Sequence, residues 1–395
     1  MPLSASVCTL HHMLSTRILI IGGGIHGTFL ARALTEDCGL DAGDVLVLDP
    51  VGRPVREWRR RCCIVGMSHL RSTSSHNMET DYRALRRWAR QHGYEYDIHF
   101  REPYARPSVY AFHAHMDHVL VRSRIASRFV PGTAQSLSRT VTGWIVESEA
   151  GQIHAETVVL ATGPGPPRVP AWAAETEIRH VYADPEPPRP DAGTRIAVIG
   201  GGISAWQFAC RYAGSHDVSV FSTHGIRASM FDSDPGYLGP KKMSSFLEKP
   251  VPAREHELRT ARRPGSIPPD LETMVRTHLA REQLSFHVAA ITSARETSSG
   301  YELRTKDGAR HGGFDEVVCA TGFEGQHAPG GFIAQVAREC DLPCSTEGYP
   351  LLQRDLSWAP RLHVAGGAAS LVLGPTAGNI VGAHKAFRTL RTGLS

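Results

Sequence analysis

No apolar run in the sequence approaches the roughly 18 residues of a membrane span, so nothing in it reads as a membrane helix. Dithiol motifs are missing as well. The eight cysteines are scattered, and the nearest spacings, Cys62 beside Cys63 and Cys340 ahead of Cys344, fit neither a thioredoxin-like C-x-x-C nor a zinc knuckle. They read as reduced thiols of a cytoplasmic protein. Strong charge of one sign is absent. Lysine and arginine outnumber the acids by 43 to 39, and a net +4 without a clustered surface gives no ground for a nucleic-acid partner. The one dense run, Arg53 to Arg61, reads as a solvated loop or helix face, or as part of a phosphate site. Among 21 histidines no pair has zinc-type context, since His113 and His115 are two apart and His11 and His12 adjacent; no metal is assigned. Residues 1–16 lack the apolar stretch of a signal peptide and read as a disordered leader, with Met13 a second start.

What is present is a globular composition, 41% apolar and 21% charged, on a chain too long for one ordinary core. Two domains are expected. RILIIGGGIHGTFLARAL from Arg17 reads as strand, glycine turn and helix, and DVLVLDP supplies a second strand ending at Asp49. Arg71 to His92 and the HAHMDHVLVRSRIASRF stretch read as helices, and GWIVESEAGQIHAETVVLATG as a hairpin returning to an apolar strand. A proline-rich passage from Pro164 to Pro190 then marks a crossing between domains. After it the pattern repeats: TRIAVIGGGISAWQFACRYAG is again strand, turn and helix, and YELRTKDGARHGGFDEVVCATGFEG mirrors the earlier hairpin. A strand, a glycine-rich loop and a helix close the chain. The expected fold is α/β, with two Rossmann-like dinucleotide-binding domains, the NADPH domain (171–311) inserted into the FAD domain (17–170 and 312–395).

Gly22, Gly24 and Gly27 fit G-x-G-x-x-G. The first glycine permits the turn, the second lets a pyrophosphate approach the backbone, and the third lets helix and strand pack closely. Phosphates then sit at the helix N-terminus, where free amides and the dipole favour anions. Asp49, 22 residues past Gly27, is placed to bind ribose hydroxyls. Gly200, Gly202 and Ala205 form a second such turn, with Ser204 inside it, and its next strand ends in Ser222 and Thr223 instead of an acid. A carboxylate there would repel a 2'-phosphate; its absence, with Arg227 nearby, favours NADPH at the second turn and leaves FAD for the first. The two ATG turns add Thr162, Gly163, Thr321 and Gly322 as cofactor contacts.

On GGGIHG, VVLATG, GGGISA, DEVVCATGF and the closing AGG…GPTAGNIVGAHKA, the chain resembles the two-dinucleotide-binding flavoproteins, which include flavin-containing monooxygenases and the lysine and ornithine N-hydroxylases. The F-x-G-x-x-x-H-x-x-x-W type fingerprint is not intact, with only His180 and Tyr182 near its place. The resemblance implies an NADPH-dependent flavin monooxygenase that hydroxylates an amine nitrogen of an amino acid or small metabolite through a 4a-hydroperoxyflavin. Its partners would be dioxygen and a small-molecule substrate. A reductase without oxygen insertion and a flavin-binding scaffold are the alternatives. It further implies that the stretch from His69 lies against the flavin, with Arg71 on the FAD pyrophosphate and His76 or Asn77 lining the reactive pocket. Gly366 and the helix opening at Asn379 would close the FAD site. The stretch from Phe231, with Lys241 and Lys242, would border the substrate.

Overall fold

A computed structural model of the chain describes residues 14–174, 176–184 and 190–394. Two parallel sheets organise it. The first runs, edge to edge, Ser357–Ala359, Leu362–Val364, Gly151–Leu160, Leu14–Ile21, Val45–Asp49 and Phe129–Pro131, with the hairpin strands Ala134–Arg139 and Trp144–Ser148 attached to the outer half of Gly151–Leu160. The second runs Ser285–Val288, Asp217–Ser222, Arg195–Ile199, Glu316–Cys319 and Arg179–His180. Because Leu362–Val364 returns to the first sheet after the second is complete, the second domain is an insertion.

Both sheets are buried on two faces, and their central strands read as near-continuous apolar runs for that reason. Ile18 to Ile21 and Val158 to Leu160 form the centre of the larger core with Phe29, Leu30 and Phe387 from the covering helices Ile25–Glu36 and Ile380–Leu394. Ile196, Val198, Val218 and Val220 do the same in the second domain against Trp206 and Phe208 of helix Ile203–Tyr212.

The expected boundaries shift in two places. Leu14, Ser15 and Thr16, assigned to a leader, are strand residues paired with Ile153, His154 and Ala155; residues 1–13, including Met13, lie outside the described residues. The return to the first domain falls after Cys319 and not at 312, because Glu316–Cys319 pairs in register with Ile196–Ile199. In the first domain one ten-residue strand serves both hairpin and parallel sheet. In the second, the corresponding run is broken at Asp315, whose carboxylate accepts from Arg195 N at 2.7 Å. The proline-rich crossing lies partly outside the described residues, which resume at Pro190.

The helix expected over 71–92 forms only at Ala84–Gln91. Upstream, short polar side chains take the backbone for themselves. The Asn77 amide donates to Ser74 O and Asp81 O and accepts from Glu79 N, and Thr73 Oγ1 accepts from Ser75 N, so the chain is held as successive turns.

The domains are braced together. Buried Arg106 reaches Asp270 of the second domain at 2.6 Å, and Arg60 of helix Arg56–Ile64 donates to Tyr182 O at 2.8 Å. Arg254 caps the carbonyl of Leu371 at 2.7 Å. Glycine matters most where the first turn closes. A Cβ on Gly27 would lie 1.8 Å from Gly22 O, inside any tolerable contact. Gly27→Ala is therefore expected to cost about 3 kcal/mol of stability through forced backbone displacement, read as a lowered urea midpoint; an unchanged midpoint would show that the turn can relax.

Candidate functional site

Gly22 leaves the strand with φ +108° and donates to Leu48 O at 2.8 Å, which turns the chain over the sheet end. Gly24 is the N-cap of Ile25–Glu36 and has open space where its Cβ would be. The carboxylate of Asp49 is held at the tip of its strand, Oδ2 accepting from Gly23 N at 2.8 Å and Oδ1 from Val51 N at 3.0 Å. Two of about four acceptor positions on a carboxylate remain for a ligand.

The second turn repeats this geometry. Gly200 has φ +141° and donates to Phe221 O at 2.8 Å, and Gly202, with open space at its own Cβ position, caps Ile203–Tyr212. Where Asp49 stands over Gly23, Ser222 stands over Gly201: its Oγ lies 2.2 Å from the place a Gly201 Cβ would take. A neutral hydroxyl thus replaces the carboxylate at the equivalent position. Thr223 and Arg227 are exposed just beyond it, Arg227 on a short strand paired with Ser266–Ile267. Ala205 is buried in the second core.

A cleft of about 1060 Å³ opens at the C-terminal end of the first sheet and extends to the start of the second domain's helix. It brings together Gly22, Gly24, Asp49, Arg71, His76, Thr162, Gly163, Gly366 and Asn379. Gly27 and Asn77 do not line it, nor do the expected residues around the second turn: Gly200, Gly202, Ser204, Ala205, Ser222, Thr223, Arg227, Thr321 and Gly322. Ile203 is where the cleft meets that turn. Thr321 Oγ1 donates to Arg168 O, and Arg168 N to Gly322 O at 2.9 Å, so this ATG turn ties down the interdomain crossing.

Two expected roles change. The guanidinium of Arg71 donates to Met230 O, Ser266 O, Ser229 O and Ser266 Oγ at 2.7–3.1 Å, which leaves one of its five N–H groups for a pyrophosphate; the side chain is a brace across the cleft. Its burial lowers its pKa to about 10. Asn77 is fully buried with every amide atom used on backbone, and its own carbonyl accepts from His384 Nε2 at 2.8 Å, so it shapes the loop and touches no reactant. His76 does face the cleft.

Several lining residues carry no strong mark in the sequence. His26, inside the glycine motif, has both ring nitrogens buried without a hydrogen-bond partner among the described residues. Helical phase could have flagged it, since first-turn residues of such a helix face the ligand. Asp232 is held between Asn379 Nδ2 at 3.0 Å and Arg262 Nη2 at 2.9 Å, whereas Lys242, a sequence candidate beside Phe231, is spent on Asp234 at 2.5 Å. From Arg56 the arginine run is a helix, Arg56–Ile64; Arg53 and Arg56 face solvent, Arg59 pairs with Asp117 of its own domain, Arg60 reaches the second domain, and Arg61 lines the cleft. Among the described residues no group of three or more His, Cys, Asp or Glu could hold a metal ion, and no helix is long and apolar enough to cross a membrane. The seven described cysteines are unpaired, and none lines the cleft.

Residues 19–165 match the family model described as FAD-NAD(P)-binding, the cofactor class expected from the glycine turns. No curated protein matches the sequence. Among solved structures, the ornithine hydroxylase of Pseudomonas aeruginosa is similar at 17% identity and a TM-score of 0.76, over 96% of this chain and 99% of that one. The fold is that of the two-dinucleotide-binding flavoproteins. The Kutzneria ornithine N-hydroxylase, solved with reduced FAD, NADP+ and L-ornithine, shares this flavoprotein fold at 15% identity, TM-score 0.76, over 96% and 99% of the two chains. The flavin-containing monooxygenase of Stenotrophomonas maltophilia shares it at 19% identity, TM-score 0.61, over 97% and 100%.

Burial sets the protonation of His26 and His76 on the cleft and of His384 behind Asn77. His26, His76 and His384 are each held down to about 4, chiefly by desolvation, with the Lys385 charge adding to the effect at His76. The unfolded chain takes up these protons near the ordinary imidazole value of about 6.5, so the stability they confer is complete above that pH and falls on acidification towards their folded values. Melting temperature should drop between about pH 7 and about pH 5, and less steeply for His76→Gln; a flat profile would contradict the burial of these rings. Gly24→Val projects into open cleft and should leave a folded protein, by circular dichroism, that no longer retains FAD. A yellow variant would remove the pyrophosphate assignment.

Proposed function

We propose that the protein is an NADPH-dependent flavin monooxygenase that hydroxylates an amine nitrogen of an amino acid or small amine. The observation that carries this reading is one cleft lined by the first glycine turn, by the closing Gly366–Asn379 segment and by Ile203 of the second turn, with no cysteine among the described residues on its walls. Its chemistry fits FAD: open backbone at Gly24 for a diphosphate, free lone pairs on Asp49 for a ribose, and the amino end of helix Ile380–Leu394 for an electron-rich ring edge. Bound FAD would supply hydride acceptance from NADPH and activation of dioxygen.

The chain's own residues do the rest. Gly22 and Gly163, both at positive φ, allow the backbone to fold away from the cleft, and Thr162 O is fixed by Gln326 Nε2 at 2.9 Å. His76 offers an uncharged imidazole on the wall, able to hydrogen-bond at a ring nitrogen without bringing a charge into the cleft. The Asp232–Arg262 pair beside Asn379 presents one charge of each sign, which suits the ammonium and carboxylate of an amino acid. The 2'-phosphate preference rests on Ser222 standing where Asp49 stands in the first turn. The likeness to N-hydroxylases in fold over nearly the whole chain supports the reaction class.

A panel of amino acids and amines tests this through NADPH oxidation, oxygen uptake and product mass. One substrate should accelerate NADPH oxidation and leave as a product one oxygen atom heavier. Hydrogen peroxide as the sole product across the panel would replace the monooxygenase with a flavin reductase.

A further inference from the structure

The helix Arg56–Ile64 carries four arginines. Arg59 is paired with Asp117 through both Nη atoms, and Arg60 is spent on Glu57 and on the carbonyls of Tyr182 and Asp184. Arg61 is different. Its Nε donates to Glu57 Oε1 at 2.6 Å, while neither Nη atom has a hydrogen-bond partner among the described residues. The guanidinium lies 4.5 Å from the centroid of Phe323 and 5.6 Å from that of Tyr182, and these two rings stack on each other with 13° between their planes. The Tyr182 hydroxyl in turn bonds Ser204 Oγ at 2.8 Å, in the first turn of Ile203–Tyr212. A first-domain cation is thus fixed at Nε, supported on an aromatic shelf anchored to the second glycine turn, and presented to the cleft that also receives Ile203. A half-used guanidinium fork held in this way is built for a planar or tetrahedral oxyanion.

We propose that Arg61 binds the diphosphate of the nicotinamide dinucleotide seated on the second glycine turn, closing that anion site from the opposite domain. The inference rests on the reading of the second turn as the NADPH site. FAD also carries a diphosphate, but Gly24 and the first helix already serve it, and the shelf beneath Arg61 is attached to the second turn. The diphosphate is common to NADP+ and NAD+, so this residue differs from Arg227, whose expected partner is the 2'-phosphate alone.

The test is equilibrium titration of the FAD-loaded protein with NADP+ and with NAD+, followed by fluorescence, for wild type, Arg61→Gln and Arg61→Lys. Arg61→Gln should weaken both nucleotides by a similar factor, about tenfold for a lost charge-assisted contact, with FAD content and melting temperature unchanged. Arg61→Lys should show a smaller loss, again equal for both, and decides the matter alone if the glutamine variant does not fold. Wild-type affinity for both nucleotides in the variants would overturn the proposal. So would loss of FAD with nicotinamide affinity intact, which would hand Arg61 to the flavin's diphosphate. A wild-type protein that binds neither nucleotide would instead remove the NADPH reading itself, and with it this role.

Discussion

Backbone crowding at two strand ends is the constraint on which the rest of the structure depends. A Cβ on Gly22 would sit 2.4 Å from Ala161 O, and a Cβ on Gly200 the same distance from Ala320 O. In each domain the strand after the hairpin delivers an ATG sequence directly against the glycine turn. Ala161 N bonds Ile21 O, and Ala320 N bonds Ile199 O, both at 2.8 Å. Only a residue without a side chain passes at that distance, and passing there forces the following helix to start at the sheet end with free amides pointing outward. A recess at the C-terminal end of each sheet follows from this packing.

The cleft at the first turn reaches the second domain's helix at Ile203, and the domains around it are tied together by polar side chains reaching across. Arg71, Arg106 and Arg254 each donate to a group of the other domain, and Asn379 meets Asp232 in the cleft wall. Arg71 and Arg254 donate to neutral carbonyls and Asn379 is a neutral amide; Arg106, at 2% exposure, makes the one ion pair of the set, and stripping its partner would strand a buried charge. The imidazoles of His26, His76 and His384 are uncharged at neutral pH, so the charges at the cleft come from its carboxylates, guanidiniums and the Lys385 amine behind His76.

Local rules made much of this readable in advance. Glycine spacing, apolar strands and the repeated ATG segments are determined within a few residues of chain, and they located both turns, Asp49, Gly163, Gly366 and the inserted architecture. What escaped reading depends on partners distant in sequence. Arg71 had the right place for a phosphate ligand, yet its donors go to carbonyls at 229, 230 and 266. Asn77 was placed in the reactive pocket by the resemblance alone; burial among backbone groups made it structural. The arginine run could be read only as a solvated face or part of a phosphate site, because the partners of Arg59 and Arg60, at Asp117 and Tyr182, lie far along the chain. The domain return at Cys319 was misplaced since a broken hairpin and a continuous one look alike in sequence.

The proposed function requires that both dinucleotides meet in one cleft, so that electrons move from one to the other within a single chain. Anaerobic titration of the FAD-loaded protein with NADPH tests it most directly, by following the visible flavin absorbance. The account predicts complete bleaching at one equivalent of NADPH per flavin. Bound FAD that keeps its colour in excess NADPH, although NADP+ binds, would contradict it.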